Sequence, residues 1–177
     1  MGAYQTDRQW SDQFLPAICR LVGPHLLVPA TLELDTKQAT DLMVLRARDM
    51  TIAARVRRHG YADRYPYQFT IRAHRDSGAK TELAKIVEGW GDWMFYGHQA
   101  APGSTEIYPW WLVDLSAWRA GMIRKAWNPN GPNVETGVIP NGDGTYFRYF
   151  DLRTFPEEPP ICIASAESVP CHSETAA

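Results

Sequence analysis

The chain has 177 residues, 45% of them apolar, and a formal net charge of −2. That length holds one domain with a sizeable core and excludes two comfortable ones, and the near-neutral balance excludes a uniformly basic nucleic-acid coat protein. Three cysteines, Cys19, Cys162 and Cys171, show no paired or ligand-like spacing, which excludes a disulfide scaffold or a zinc knuckle.

Residues 7–22 place Trp10, Phe14, Ile18, Leu21 and Val22 near one helical face, with Pro16 expected to kink or shorten the helix. A connector over 25–34 follows, with Asp35 and Thr36 as a turn or cap. Strand signals then stand at 41–45, 50–58 and 67–73, read as an antiparallel three-strand meander. Period-two alternation puts Ile52, Ala54 and Val56 on one side of the second strand and Arg55 and Arg57 together on the other. The third strand alternates Phe69 and Ile71 with Gln68, Thr70 and Arg72, so one sheet face is expected apolar and the other polar.

Thr81 is placed to cap a helix in which Leu83, Ile86 and Val87 form the buried stripe, stopped at Gly89-Trp90-Gly91. Strands are expected at 93–98 and 110–115, and then a helix capped by Ser116. The turn-rich stretch 128–144 reads as a loop, 145–152 as a returning edge strand, and the Pro-, Glu- and Ser-rich residues 154–177 as a loosely packed tail. The expected fold is α/β, a central mixed sheet containing the meander and flanked by helices, in one domain over 1–153. The opening MGAYQTDRQW lacks the basic-then-apolar order of a signal peptide and no apolar run is long enough to span a bilayer. The expected location is therefore cytoplasmic, with no membrane partner.

Between Arg46 and Asp76 lie eight arginines (Arg46, Arg48, Arg55, Arg57, Arg58, Arg64, Arg72, Arg75) against three aspartates (Asp49, Asp63, Asp76). Forked guanidinium donors match phosphate oxygens, so the cluster points to nucleic acid, with Arg55, Arg57, Arg58, Arg72 and Arg75 as its phosphate contacts. Solvated strand faces paired with carboxylates from elsewhere are the plainer account. The aromatic share of 12% fits either a large core or a stacking surface. Glu33, Asp35 and Asp41 gather near a strand start, where carboxylates suit a magnesium ion or serve as turn residues. Glu82 and Lys85 read as a helical charge pair, or with Gly78 and Lys80 as a phosphate site at a helix start. His98 reads as a hydrogen-bonded structural residue, and Cys171-His172 as a poor metal site. Neither a dinucleotide fingerprint nor a Gly-x-Ser-x-Gly motif is present.

The succession ATDLMVL, TIAARVRR, QFTIRA, TELAKI, WMFYGH resembles the core of the PD-(D/E)xK restriction-endonuclease-like superfamily, seen in many small phage and prophage proteins, over about residues 35–120. The resemblance rests on element order. Asp41 matches the family's first acid, whereas Arg55-Val56-Arg57 or Gln68-Phe69-Thr70 stands where its acid-x-lysine triplet belongs. It implies a restriction-endonuclease-like fold and magnesium-dependent hydrolysis of DNA, with Asp41 and Glu82 holding the metal and Lys85 orienting water. The alternative is a non-catalytic module of phage type that binds nucleic acid, DNA before RNA, or a host protein through the arginine face.

Overall fold

The computed structural model describes residues 3–29, 42–44, 50–128 and 134–166. The N-terminal apolar stripe forms two helices, α1 (Ala3–Asp12) and α2 (Leu15–Val22). Pro16 goes with a shortened helix and not with a kink in a continuous one. It occupies the first turn of α2, where its missing N–H has no partner to lose. A 3-10 turn (Gly23–Leu26) leads into a two-stranded antiparallel ribbon of β1 (Leu27–Pro29) and β2 (Leu42–Val44).

The remaining strands build two sheets. The mixed sheet is ordered β3 (Ile52–Arg57), β5 (Trp93–Gln99), β6 (Ile107–Asp114), β9 (Cys162–Ser165), with β3 parallel to β5 and the other neighbours antiparallel. The second sheet is antiparallel, ordered β4 (Gln68–Arg75), β8 (Thr145–Asp151), β7 (Thr136–Pro140). The expected meander is therefore absent: its three strands belong to three different sheets. The chain leaves the mixed sheet after β3, lays down β4 and the short helix α3 (Glu82–Val87), and returns to pair β5 alongside β3.

Alternation decides the layers. On β5 and β6, Met94, Tyr96, Trp111 and Val113 face Phe69, Ile71 and Phe150 of the second sheet and Leu115 and Trp118 of helix α4 (Leu115–Trp127). The opposite face, Trp93, Phe95, Trp110 and Leu112, packs with Val56 of β3 onto Phe14, Ala17, Ile18 and Val22. All seven residues of β5 are buried, because both of its faces and both of its edges are covered. Gly97 is required there: a Cβ would lie 2.4 Å from Ile107 Cγ2.

Several local expectations change. Helix α4 is capped by Asp114, whose carboxylate accepts from the Ser116 and Ala117 N–H groups at 2.7 and 3.0 Å, and not by Ser116. Thr81 does cap α3 through the Ala84 N–H, but Val87 points outward and leaves Ile86 and the half-buried Leu83 to make the contact. Strand β8 lies in the middle of its sheet, since residues 136–140 of the expected loop form β7 on its far side. The segment expected as a tail from 154 buries Phe155 and Ile161 and supplies β9 before the description ends at 166. Among the described residues no helix is long and apolar enough to cross a membrane.

Candidate functional site

As the end strand of the mixed sheet, β3 has neighbours on one edge only, and this leaves room for long polar side chains. Arg55 and Arg57 share a side, as alternation requires. That side is not an open sheet face. It looks across a cleft of about 360 Å³ whose other wall holds Arg72 of β4 and Phe147 of β8. The Arg55 and Arg72 guanidinium groups both lie over the Phe147 ring, 4.9 and 5.4 Å from its centroid. Arg57 covers Tyr61 at 4.1 Å and Arg58 covers Trp10 at 4.7 Å. Aromatic faces attract cations and hold these guanidinium planes in place while leaving donors to spare.

Glu82, at the start of α3, bonds Arg55 Nη2 through Oε2 at 2.6 Å, and the same oxygen accepts the Arg72 backbone N–H at 3.2 Å. One carboxylate therefore tethers β3, β4 and α3 together. Its charge does not balance the group. The Arg72 pKa is lowered by burial first, then by repulsion from Arg55 and Arg75, with Glu82 and Asp143 opposing. Arg72 Nε and Arg75 Nε are buried without a hydrogen-bond partner. Arg75 lines a neighbouring depression of about 380 Å³ with Lys80, Lys85 and Trp90, and Arg55 and Arg72 stand between the two hollows. Lys80 is bonded to Glu88.

The sequence-derived residues thus divide. Arg55, Arg57, Arg58 and Arg72 converge on the cleft, with Arg75 and Lys85 beside it. Asp41, the first expected acid and metal ligand, lies outside the described residues, as do Glu33, Asp35, Cys171 and His172. Glu82 does not fit a magnesium ion, because it is engaged by Arg55 and encircled by Arg72, Arg75 and Lys85, whose charges oppose a further cation. No group of three His, Cys, Asp or Glu suited to a metal occurs among the described residues.

Sequence reasoning missed a second, smaller hollow of about 260 Å³ that shares Arg57, Tyr61 and Phe147 with the cleft. Its lining includes Thr70, Tyr96 and His98, each at most 7% exposed. Burial pushes the His98 pKa down to about 4, against a hydrogen bond to the Pro109 carbonyl that raises it. The alternation of Tyr96 and His98 on one strand was the available signal. No family model matches the sequence, and comparison with curated proteins and with solved structures returns no match.

Proposed function

We propose that the protein binds a nucleic-acid strand, DNA in the first instance, in the cleft between β3 and the second sheet. The observation behind this reading is the convergence of Arg55, Arg57, Arg58 and Arg72 on one hollow where, among the described residues, Glu82 is the single carboxylate paired to them. Burial first, and repulsion from Arg55 and Arg75 second, disfavour the charged Arg72 in the free protein, and an arriving phosphate supplies the opposite charge. Arginines interleaved with Trp10, Tyr61 and Phe147 match the combination of a basic track and stacking rings that holds single strands. The order β3, β4, α3, β5 is the one the restriction-endonuclease-like resemblance expects, but β3 and β4 pair in different sheets, so the reading rests on the arginine cleft and not on that resemblance. No hydrolytic step is derived, since Glu82 serves Arg55.

The test uses Arg57→Ala with Arg58→Ala, because among the described residues neither has a carboxylate partner whose loss would disturb the fold, whereas Arg55 holds Glu82. A fluorescent single-stranded DNA should bind wild type with a steep salt dependence. The double variant should bind more weakly, with the slope of log affinity against log salt flattened by about one to two. Unchanged affinity in a folded variant overturns the assignment. Salt-insensitive binding would turn the reading toward a protein partner, and strand cleavage that needs magnesium would restore the hydrolytic one.

A further inference from the structure

We infer that the smaller hollow behind the cleft is a nucleotide-binding chamber, in which one base sits against Tyr61, Tyr65 and Phe147 while Arg57 and Arg64 hold its phosphate. This deepens the nucleic-acid reading of the cleft and rests on it.

Three observations lead here. The first is composition: aromatic and apolar walls, Tyr61, Tyr65, Phe147 and Ile139, surround the polar groups of Gln68 and Asn141, with Arg57 and Arg64 completing the lining. Planar heteroaromatic rings are held by such walls and read through hydrogen bonds to their edges, and arginines recognise the phosphate that accompanies them. The second is size. At about 260 Å³ the chamber lies just below the range of roughly 300 to 1,000 Å³ that takes drug-sized ligands, so it admits one small planar group and neither a helix nor a peptide strand.

The third is unspent hydrogen-bonding capacity in a place where burial makes it costly. Thr70 Oγ1 and Tyr96 Oη lie 3.2 Å apart, and that contact uses one of their two hydroxyl hydrogens. His98 is 2% exposed and its Nδ1 has no hydrogen-bond partner. Buried polar groups are nearly always paired, and a cluster of incompletely paired ones lining a hollow marks a position that a polar ligand completes. A neutral imidazole suits this role, since its unpaired Nδ1 can accept a hydrogen bond from a base edge, whereas a charged ring would be repelled by Arg57. The location adds direction. Arg57, Tyr61 and Phe147 belong to both hollows, so a strand lying in the cleft can turn one base inward without leaving its phosphate contacts.

The same chemistry has two sources, a nucleotide extruded from a strand or a free mononucleotide, and the experiment separates them. Full-length protein is titrated with a fluorescent 12-nucleotide DNA strand, with a fully abasic strand of equal length and charge, and with a deoxynucleoside monophosphate. Wild type should bind the base-bearing strand about tenfold or more tighter than the abasic one. Gln68→Leu with Thr70→Val, which keeps volume and removes polar edges, should abolish that preference; the wild-type comparison stands if this variant does not fold. Binding of the monophosphate at the same site, seen as competition with the strand, assigns a chamber open to free nucleotides, and its failure to compete assigns one that serves strands; both support the chamber. Equal, steeply salt-dependent affinity for base-bearing and abasic strands overturns the chamber and the stacking role of the cleft's rings, leaving its phosphate contacts; a preference that persists in the folded double variant overturns the chamber and leaves the cleft reading intact. Monophosphate binding without strand binding overturns the cleft and keeps the chamber. No binding of any probe overturns both.

Discussion

Strands β3 and β5 are hydrogen-bonded to one another along their whole length, Ile52 opposite Trp93 through Arg57 opposite His98, yet they have opposite fates. Strand β5 is buried at every residue, while β3 buries only Val56 and, with the two residues that follow it, keeps Arg55, Arg57, Arg58 and His59 within reach of solvent. Neither backbone conformation nor pairing separates them. What differs is the number of covered edges and faces. A strand with neighbours on all sides has to be apolar and tightly packed, and the strand beside it, with one edge open, can support arginines whose stems pack and whose heads stay wet.

The largest expected effect would come from breaking the packed member. Phe95 is fully buried and stacked on Trp110 at 5.6 Å, so Phe95→Ala should cost about 3–5 kcal/mol in urea unfolding. A loss below about 1 kcal/mol would mean that β5 is not the core strand described. Next comes acid sensitivity at the C-terminal end of the same strand. With a folded pKa of about 4 against 6.5, His98 leaves the unfolded chain binding a proton that the folded chain refuses. Its contribution is fully present above pH 6.5 and disappears as pH falls toward 4, on the order of 3 kcal/mol. His98→Gln should flatten that slope in a pH series of unfolding curves; an unaltered slope would place the acid sensitivity elsewhere.

Adding a single methyl to β5 sharpens the comparison further. Gly97→Ala forces a contact at 2.4 Å with Ile107 and one at 3.0 Å with Phe95, for an expected loss of about 1–3 kcal/mol. Across the pair, Arg57→Ala on β3 should change stability by less than about 0.5 kcal/mol, its effect falling on ligand affinity. A large stability loss there would show that the arginine is structural and would weaken the cleft assignment.

What could be read from the sequence follows the same division between local and distant. The strands expected at 50–58, 67–73, 93–98 and 110–115 stand at 52–57, 68–75, 93–99 and 107–114, because alternation, apolar runs and turn residues are local signals; the start of the last, at Ile107, lay in the expected loop. Partners did not follow. Strands β3 and β4 are neighbours in sequence, but β4 pairs with β8, Phe69 opposite Phe150, and nothing within a short window encodes that choice. Strand β7 lay hidden in a stretch dense with turn dipeptides, although NGDG between VIP and TYFRYF is a hairpin signal in its own right. At α4, Asp114 and Ser116 are both capping residues two positions apart, and only the carboxylate's bonds to the Ser116 and Ala117 N–H groups decide between them. The arginine cluster was legible as charge. That Glu82 would anchor it, 27 residues beyond Arg55, was legible only as a helix-start carboxylate, so its role as an arginine tether had to wait for the coordinates.

The two sheets also draw their strands alternately from the chain, the mixed one using 52–57, 93–99, 107–114 and 162–165 and the antiparallel one 68–75, 136–140 and 145–151. No single cut separates the two sheets into different fragments. During synthesis, the outer edge of β6 stays unpaired until residue 165 has emerged, and the β4 edge waits for β8 in the same way. Nascent chains therefore carry two unpaired strand edges until late, the kind of surface through which incompletely folded chains associate.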